Sequence, residues 1–313
     1  MIDRPGDCVL PNFACPVCRG SLTQGAQTWE CAGCGATFPV VRGVPVLLNE
    51  QNSVFRIADY TGGGAYEGAS GYAGSADNSG GWRRAYRRFA RALSEAPVPG
   101  VGFDPLEIIL AEKPDAEILV VGSGERERKG NVTYTDVAFA KHIACICDGH
   151  DLPFADASFD AVFAEAVLEH VCDPQRVVSE ITRVLKPDGL VYAVTPFLQP
   201  VHMGAYDFTR FTYLGHRRLF RQFDDLRSGM MGGPGYSAIH LGRNLLTELS
   251  DHHRVRSMLR MLGLLMTYPL RYLDPLLSRT QGSYNSACAC YFLGRKRETP
   301  IPDRELIALF RGR

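Results

Sequence analysis

Four cysteines carry the most explicit chemistry in the chain. Cys15 and Cys18 form one C-x-x-C pair, and after twelve intervening residues Cys31 and Cys34 form a second. Each pair places two thiols on one turn. Four thiolates in tetrahedral array are what Zn²⁺ takes when its role is structural and no position is left open. Gly20, Gly33 and Gly35 supply the tight backbone such turns need. The spacing therefore predicts a structural zinc ribbon over residues 8–50, liganded by Cys15, Cys18, Cys31 and Cys34. So short a unit buries too little apolar area to fold alone, so the metal would supply much of its folding free energy. Cys8 lies too far from the pairs to be assigned as a ligand, and Cys145, Cys147, Cys172, Cys288 and Cys290 sit in apolar contexts that suit small core residues.

A second constellation begins where the apolar run Ile118 to Val121 meets Gly122-Ser123-Gly124. A glycine turn after a strand lets a ligand approach the backbone. Such a turn serves dinucleotides, nucleotides, S-adenosylmethionine (SAM), or the turn alone. Asp136 ends the next apolar run, where a carboxylate can accept both hydroxyls of a ribose. Further along, His202 is a candidate base, Asp207 its orienting partner or a substrate ligand, and Arg210 and Tyr206 candidate substrate contacts. The same residues fit a plain Asp207–Arg210 ion pair beside a loop histidine. His170, inside a helix-forming stretch, reads as structural, and His252-His253 as solvent-facing.

The elements that must position these residues alternate in type. AEILVVGSG, VTYTDV, HIACIC, FDAVFAEAV and GLVYAVTP are short apolar runs of the kind buried on both faces of a sheet. Between the last two runs lies a helix that starts at Asp173 with Pro174 in its first turn and is stopped by Pro187 and Gly189. Alternating strands and helices predict an α/β fold, a Rossmann-like doubly wound and mostly parallel sheet. Residues 212–223 and 244–270 look helical, and 287–296 looks like a late strand closing the sheet edge. The expected organisation is a ribbon (8–50), a linker or lid (51–81) that is Gly/Ser-rich over 61–81, and a core (82–225) restarting with a helix at Trp82. A helical cap or insertion (226–285), the closing strand (286–297) and a tail (298–313) follow.

Five motifs follow in order: DGHDLPF (148–154), SFDAV (158–162), LEHV (168–171), RVLKPDG (183–189) and the glycine turn before them. As a set they resemble the class I SAM-dependent methyltransferases, in particular the large bacterial type 11-like group, over residues 116–197. The ribbon, with CPVC and the closing VRGVPVLL, resembles the Trm112-like domains found before such enzymes. The resemblance implies that Gly122, Ser123 and Gly124 pass under the methionine part of SAM and that Asp136 binds its ribose. It further implies that Asp148 and the Gly149 backbone meet the adenine edge, that Leu152 packs on the base, and that Glu165 lies near methionine and acceptor. Two positions depart from the family's first motif: Val120 stands where an acid is usual, and Arg126 where a third glycine is usual.

Composition bounds the rest. The chain has 313 residues, 45% hydrophobic and 22% charged, which excludes disorder and fibre. Its 34 basic residues cancel its 34 acidic ones, so the whole does not look like a nucleic-acid binder. The cancellation is uneven: residues 93–209 hold 19 acidic against 8 basic side chains, and residues 210–313 hold 17 basic against 8 acidic. The basic tail reads as a cap over the substrate site, packing through Met258, Leu259, Met261, Leu262, Leu265 and Met266 with Arg254, Arg256 and Arg260 facing out, or as an interfacial helix that docks on an anionic membrane or a partner. Charge complementarity could also hold it partly on the acidic core. The N-terminus has no secretory pattern, and the longest apolar stretch is broken by Arg260, Pro269, Arg271, Asp274 and Pro275, so a cytoplasmic protein without a transmembrane segment is expected. The reading is a SAM-dependent methyltransferase acting on oxygen or nitrogen of a small-molecule, peptide or glycan-like acceptor. A protein partner on the ribbon or basic tail is the companion expectation. An RNA methyltransferase, or a SAM-fold platform without turnover, are the alternatives.

Overall fold

The structure is a computed structural model, and it describes residues 12–62, 102–124, 130–140 and 142–313. Cys8, the Gly/Ser stretch from 63 onward, the helix expected at Trp82 and the departure at Arg126 lie outside the described residues.

The N-terminal unit is a four-stranded antiparallel sheet of β1 (Leu22–Gln24), β2 (Thr28–Cys31), β3 (Thr37–Val41) and β4 (Val44–Pro45), in that spatial order. Its apolar residues do not close on themselves. Phe13, Trp29, Phe38 and Leu47 join the main core, with Phe13 edge-on to Trp29 at 5.3 Å and tilted against Phe154 at 5.8 Å. The Ala14 amide donates to Pro153 O at 3.0 Å and the Leu47 amide to Ile146 O at 2.8 Å, so the ribbon is stitched to the sheet at two places. Arg19 adds an ion pair to the buried Glu180 at 2.9 Å. Burying side chains such as Phe38 and Leu47 is worth about 1.5–3 kcal/mol each, which makes this shared core the ribbon's main attachment.

The main sheet has seven strands: β5 (Glu117–Val121), β6 (Asn131–Asp136), β7 (Ile143–Ile146), β8 (Phe159–Glu165), β9 (Leu185–Pro196), β10 (Phe223–Met231) and β11 (Ala289–Lys296). Their order is β10-β11-β9-β8-β5-β6-β7, with β5 to β9 parallel and β11 antiparallel to both β9 and β10. The chain therefore winds outward from β5 through β6 to β7, returns to β8 on the other side of β5, and reverses direction there. That reversal is the topological switch point at which doubly wound sheets bind ligands. The helix Pro174–Val184 crosses from β8 to β9 as expected, capped by Asp173, whose Oδ1 accepts from the Arg176 amide at 3.0 Å. It buries Val177, Val178, Ile181 and Val184.

Four expectations about elements need correction. The late strand β11 is not at the edge; it lies between β9 and β10, and β10 closes the sheet. Its sequence, FDDLRSGMM, alternates poorly because an edge strand buries little. His170 lies in a turn before the helix at Pro174, because Asp173 and Pro174 set the helix start after it. The long helix expected over 244–270 is two, Pro234–Thr247 and His253–Thr267, and the first begins where Asp274 accepts backbone amides of Gly233, Gly235 and Tyr236 at 2.6–3.2 Å. The apolar stripe of the second helix is not a core: Met258, Leu262, Leu265 and Met266 are 46–66% exposed. The two helices approach through glycines instead. A Cβ on Gly263 would fall 2.9 Å from Arg243 Cα, and one on Gly242 would fall 2.7 Å from Thr267 Cγ2.

The basic tail does not lie on the acidic core by charge. Arg217, Arg218, Arg221, Arg256, Arg297 and Arg311 pair with Asp225, Asp303, Glu248 and Asp224 of the same segment, and the crossing pairs among the described residues are Arg210 with the nearby Asp207 and Arg295 with Glu112 at 2.7 Å.

Candidate functional site

At the carboxyl end of β5 the backbone turns through Gly122 (φ +68°) and Gly124 (φ +54°), conformations that favour glycine. A Cβ on Gly122 would meet Val167 Cγ2 at 2.5 Å, whereas one on Gly124 would meet nothing within 4 Å among the described residues. The first glycine is thus needed by packing, and the second faces space. Ser123 between them is buried, its amide donating to Thr135 O at 3.0 Å. Asp136, at the end of β6, leans onto this turn: its Oδ2 accepts from the Gly124 amide at 2.9 Å and its Oδ1 from the Ala138 amide at 3.0 Å. Burial pushes its carboxyl above the ordinary range against the pull of these amides. Val120, the first departure, is buried in β5 among apolar neighbours.

After β7 comes a short helical turn, Gly149–Asp151, headed by Asp148. The Asp148 carboxylate is buried and fully engaged. Oδ1 accepts from the His150 amide at 3.0 Å and meets the His150 ring at 2.6 Å, and Oδ2 accepts from the Ser53 hydroxyl at 2.6 Å. Burial alone would raise its pKa, but the His150 and Ser53 contacts overcome that and hold it below the usual value. Gly149 and Leu152 are buried, Leu152 with its amide on Glu180 Oε2 at 3.0 Å. Sequence reasoning missed the segment just after the ribbon. Asn49 and Asn52 both donate to Asp151 Oδ2, at 3.1 and 2.8 Å, Phe55 is buried against Tyr206, and Tyr60 donates to Val137 O at 2.6 Å. The stretch from 51 to 62, expected to begin a linker, is therefore packed along the β6–β7 side of the switch point, and no local motif announces it.

A second cluster stands beyond β8 and β9. Glu165 ends β8, and the turn after it carries Glu169 and His170. Glu169 is completely buried, and among the described residues neither carboxylate oxygen meets a side chain at hydrogen-bond distance. Burial raises its pKa to about 7, with its own backbone amide and then Arg210 opposing. His170 Nε2 lies 3.7 Å from Glu169 Oε1 and 3.0 Å from His202 Nε2, and His202 Nε2 lies 4.0 Å from Glu169 Oε1. Asp207 accepts from the His202 amide at 2.9 Å and grips Arg210 with both oxygens. Although burial opposes it, this grip lowers the Asp207 carboxyl to about 2. Arg210 is further held by the carbonyls of Gln199, Pro200 and Thr209. The structure thus gathers His202, Asp207, Arg210 and Tyr206 in one place, with the Asp207–Arg210 ion pair made.

The four ribbon cysteines converge, their sulfurs all within 4.8 Å of one another, with Cys15 Sγ to Cys34 Sγ at 3.7 Å and Cys18 Sγ to Cys31 Sγ at 3.4 Å. Zn–S bonds of about 2.3 Å in a tetrahedron require S···S edges of about 3.8 Å. Burial pushes the Cys15 thiol up to about 12, while the Cys34 amide draws Cys31 down to about 6. Cys145, Cys147, Cys288 and Cys290 are buried, as expected of core residues; Cys172 is exposed. His252 and His253 face solvent.

Residues 126–193, from a point after β5 through most of β9, match a family described as a methyltransferase domain. A glycine/sarcosine/dimethylglycine N-methyltransferase of Actinopolyspora halophila is 30% identical over 146 residues, 46% of this chain and 24% of that protein. A ubiquinone/menaquinone biosynthesis C-methyltransferase of Desulfotalea psychrophila is 28% identical over 130 residues, 36% of this chain and 53% of that one. The aligned part thus spans about a quarter and about half of these relatives. Among solved structures, the 1,6-didemethyltoxoflavin-N1-methyltransferase of Burkholderia thailandensis aligns over 87% of this chain and all of its own, at 12% identity and TM-score 0.41. Among the described residues no helix is long and apolar enough to cross a membrane.

Proposed function

We propose that the chain is a SAM-dependent methyltransferase that binds its cofactor over Gly122-Ser123-Gly124 and acts on an acceptor beyond β8 and β9. The observation that carries this reading is the pairing of the Gly124 turn with Asp136 at the switch point, the turn standing just before and Asp136 within the residues 126–193 that match a methyltransferase domain. The residues fit the group. A carboxylate has about four acceptor sites, so Asp136, using one oxygen on each of two amides, keeps capacity for two ribose hydroxyls. Gly149 and Leu152 would border the base; Asp148, bonded to His150 and Ser53, would hold that loop in shape. Glu165 lies at the end of β8, toward the acceptor.

SAM supplies a methyl group on a sulfonium, open to in-line displacement by an acceptor lone pair. The protein's own part is to align that lone pair and exclude water. His202, fixed through its amide by Asp207, stands on the acceptor side with Tyr206, while Arg210 is committed to Asp207 and positions it. The acceptor we infer is a small molecule, peptide or glycan-like intermediate methylated on oxygen or nitrogen. The ribbon cysteines hold a structural Zn²⁺, and the ribbon, Trm112-like in its motifs, offers a surface for a protein partner.

Calorimetric titration of the zinc-loaded chain with S-adenosylhomocysteine tests the reading. Binding is expected, and Asp136→Ala should weaken it at least tenfold, about 1.4 kcal/mol or more, with the fold retained by circular dichroism. A wild-type chain that binds neither this product nor SAM overturns it.

A further inference from the structure

We propose that Glu169, His170 and His202 form a binding site for one divalent transition-metal cation, separate from the ribbon cysteines. The argument begins with protons. His170 Nδ1 lies 2.8 Å from Tyr206 O, a carbonyl that can only accept, so Nδ1 carries the proton and Nε2 presents a lone pair. His202 Nδ1 faces Pro200 O and Asp207 Oδ2, each at 3.4 Å and each an acceptor, so its Nε2 is also the bare nitrogen. Two imidazole lone pairs therefore point at each other across 3.0 Å, beside a carboxyl that has no side-chain hydrogen bond among the described residues. Two bare imidazole nitrogens that face each other beside a buried carboxyl make an arrangement that a cation completes, displacing any proton held there.

Within the protein, a proton on Glu169 would neutralise it but would give the two facing imidazole lone pairs no partner. A proton shared between the two Nε2 atoms would join the histidines but leave Glu169 without a side-chain hydrogen bond, since both nitrogens stand 3.7–4.0 Å from it. Arg210, the nearby cation, has both ends on Asp207. A fully buried carboxylate without a side-chain partner is costly.

The spacing suits a metal. Nitrogens 3.0 Å apart, each about 2.1 Å from a cation, subtend roughly a right angle, while Glu169 Oε1 at 3.7 and 4.0 Å from them subtends wider angles and closes a distorted three-donor face. Two histidines and one carboxylate leave positions open, and the imidazole side chains are 16% and 23% exposed, so the cation has a way in. The carbonyl behind His170 and the carboxylate behind His202 are the outer partners that orient metal-bound imidazoles. Imidazole and carboxylate together favour Zn²⁺, Co²⁺, Fe²⁺ or Mn²⁺ over a thiol-seeking ion. The site does not depend on methyl transfer. If the acceptor reading holds, Nε2 of His202 is a ligand and acts on the acceptor through the cation, at the ends of β8 and β9.

The test uses the full chain with its cysteine site first filled with Zn²⁺, titrated with Co²⁺ and followed by visible absorption and calorimetry. One further equivalent is expected, with d–d bands but without thiolate-to-cobalt charge transfer. Glu169→Gln and His202→Ala should each lower Co²⁺ affinity at least tenfold, and Co²⁺ should raise the melting temperature of the wild type more than that of either variant. No equivalent beyond the cysteines in the wild type overturns the proposal without reference to any variant. So does an equivalent that both variants, checked for folding by circular dichroism, bind as tightly as the wild type.

Discussion

His216 shows how a single side chain ties this fold to pH. It is fully buried, edge-on to Phe220 at 5.1 Å, and its Nε2 has no partner. Burial, with the charge of Arg217 added, lowers its pKa from 6.5 to about 3. The unfolded chain therefore takes up the proton first. The stability conferred by the neutral ring is complete above pH 6.5 and is lost progressively as pH falls toward 3. At pH 5 the loss amounts to about 2 kcal/mol, from about 1.4 kcal/mol per unit. Urea unfolding at pH 7 and pH 5 should show His216→Leu losing about that much less than the wild type; equal losses would refute the assignment. At the same scale, the cysteine pairs and the glycine turn were readable from spacing alone, because their chemistry is set by neighbours in sequence. Glu169 was not. It sits in the LEHV motif, but its significance lies in being buried without a side-chain partner, and burial is a property of what packs on it.

At the scale of elements, the five parallel strands were legible because strands buried on both faces are nearly continuous apolar runs. The edge strand β10 and the division of residues 234–267 into two helices were not, since an edge strand needs little apolar sequence and the helix break falls in polar residues. The Leu/Met stripe misled for a physical reason. The helices Pro234–Thr247 and His253–Thr267 touch through Gly242 and Gly263, which brings the backbones close and turns the large side chains outward. Leu265→Lys and Met266→Lys, at 53% and 66% exposure, should therefore change unfolding free energy by no more than about 0.5 kcal/mol each. A loss of about 2 kcal/mol or more in chemical denaturation, typical of a core position, would restore the cap-core reading.

For the whole molecule, the ribbon and the sheet share one hydrophobic core, through Phe13, Trp29, Phe38 and Leu47 on one side and Phe154, Leu119 and Val121 on the other. If zinc supports the ribbon, its loss reaches the sheet. Cys31→Ser, or removal of zinc by a chelator, should lower the melting temperature of the entire chain by several degrees in a single transition, monitored by the near-ultraviolet dichroism of Trp29 together with the far-ultraviolet signal. A separate early transition in Trp29, with the sheet unmoved, would show that the ribbon folds independently. The segment 49–55 strengthens the expected coupling, since Asn49, Asn52 and Ser53 hydrogen-bond Asp151 and Asp148 on the loop after β7.

By itself the sequence determined the sulfur tetrad, the glycine turn with its acid at the next strand end, and the alternation that makes a doubly wound sheet. Each depends on residue type and short spacing, which local chemistry reads directly. Only the tertiary structure decided that β11 is interior, that the ribbon continues the main core, and that Glu169, His170 and His202 meet. Those facts join residues distant in sequence: the burial of Glu169, and the 32 positions separating His170 from His202, acquire meaning only when packing brings the ends of β8 and β9 together.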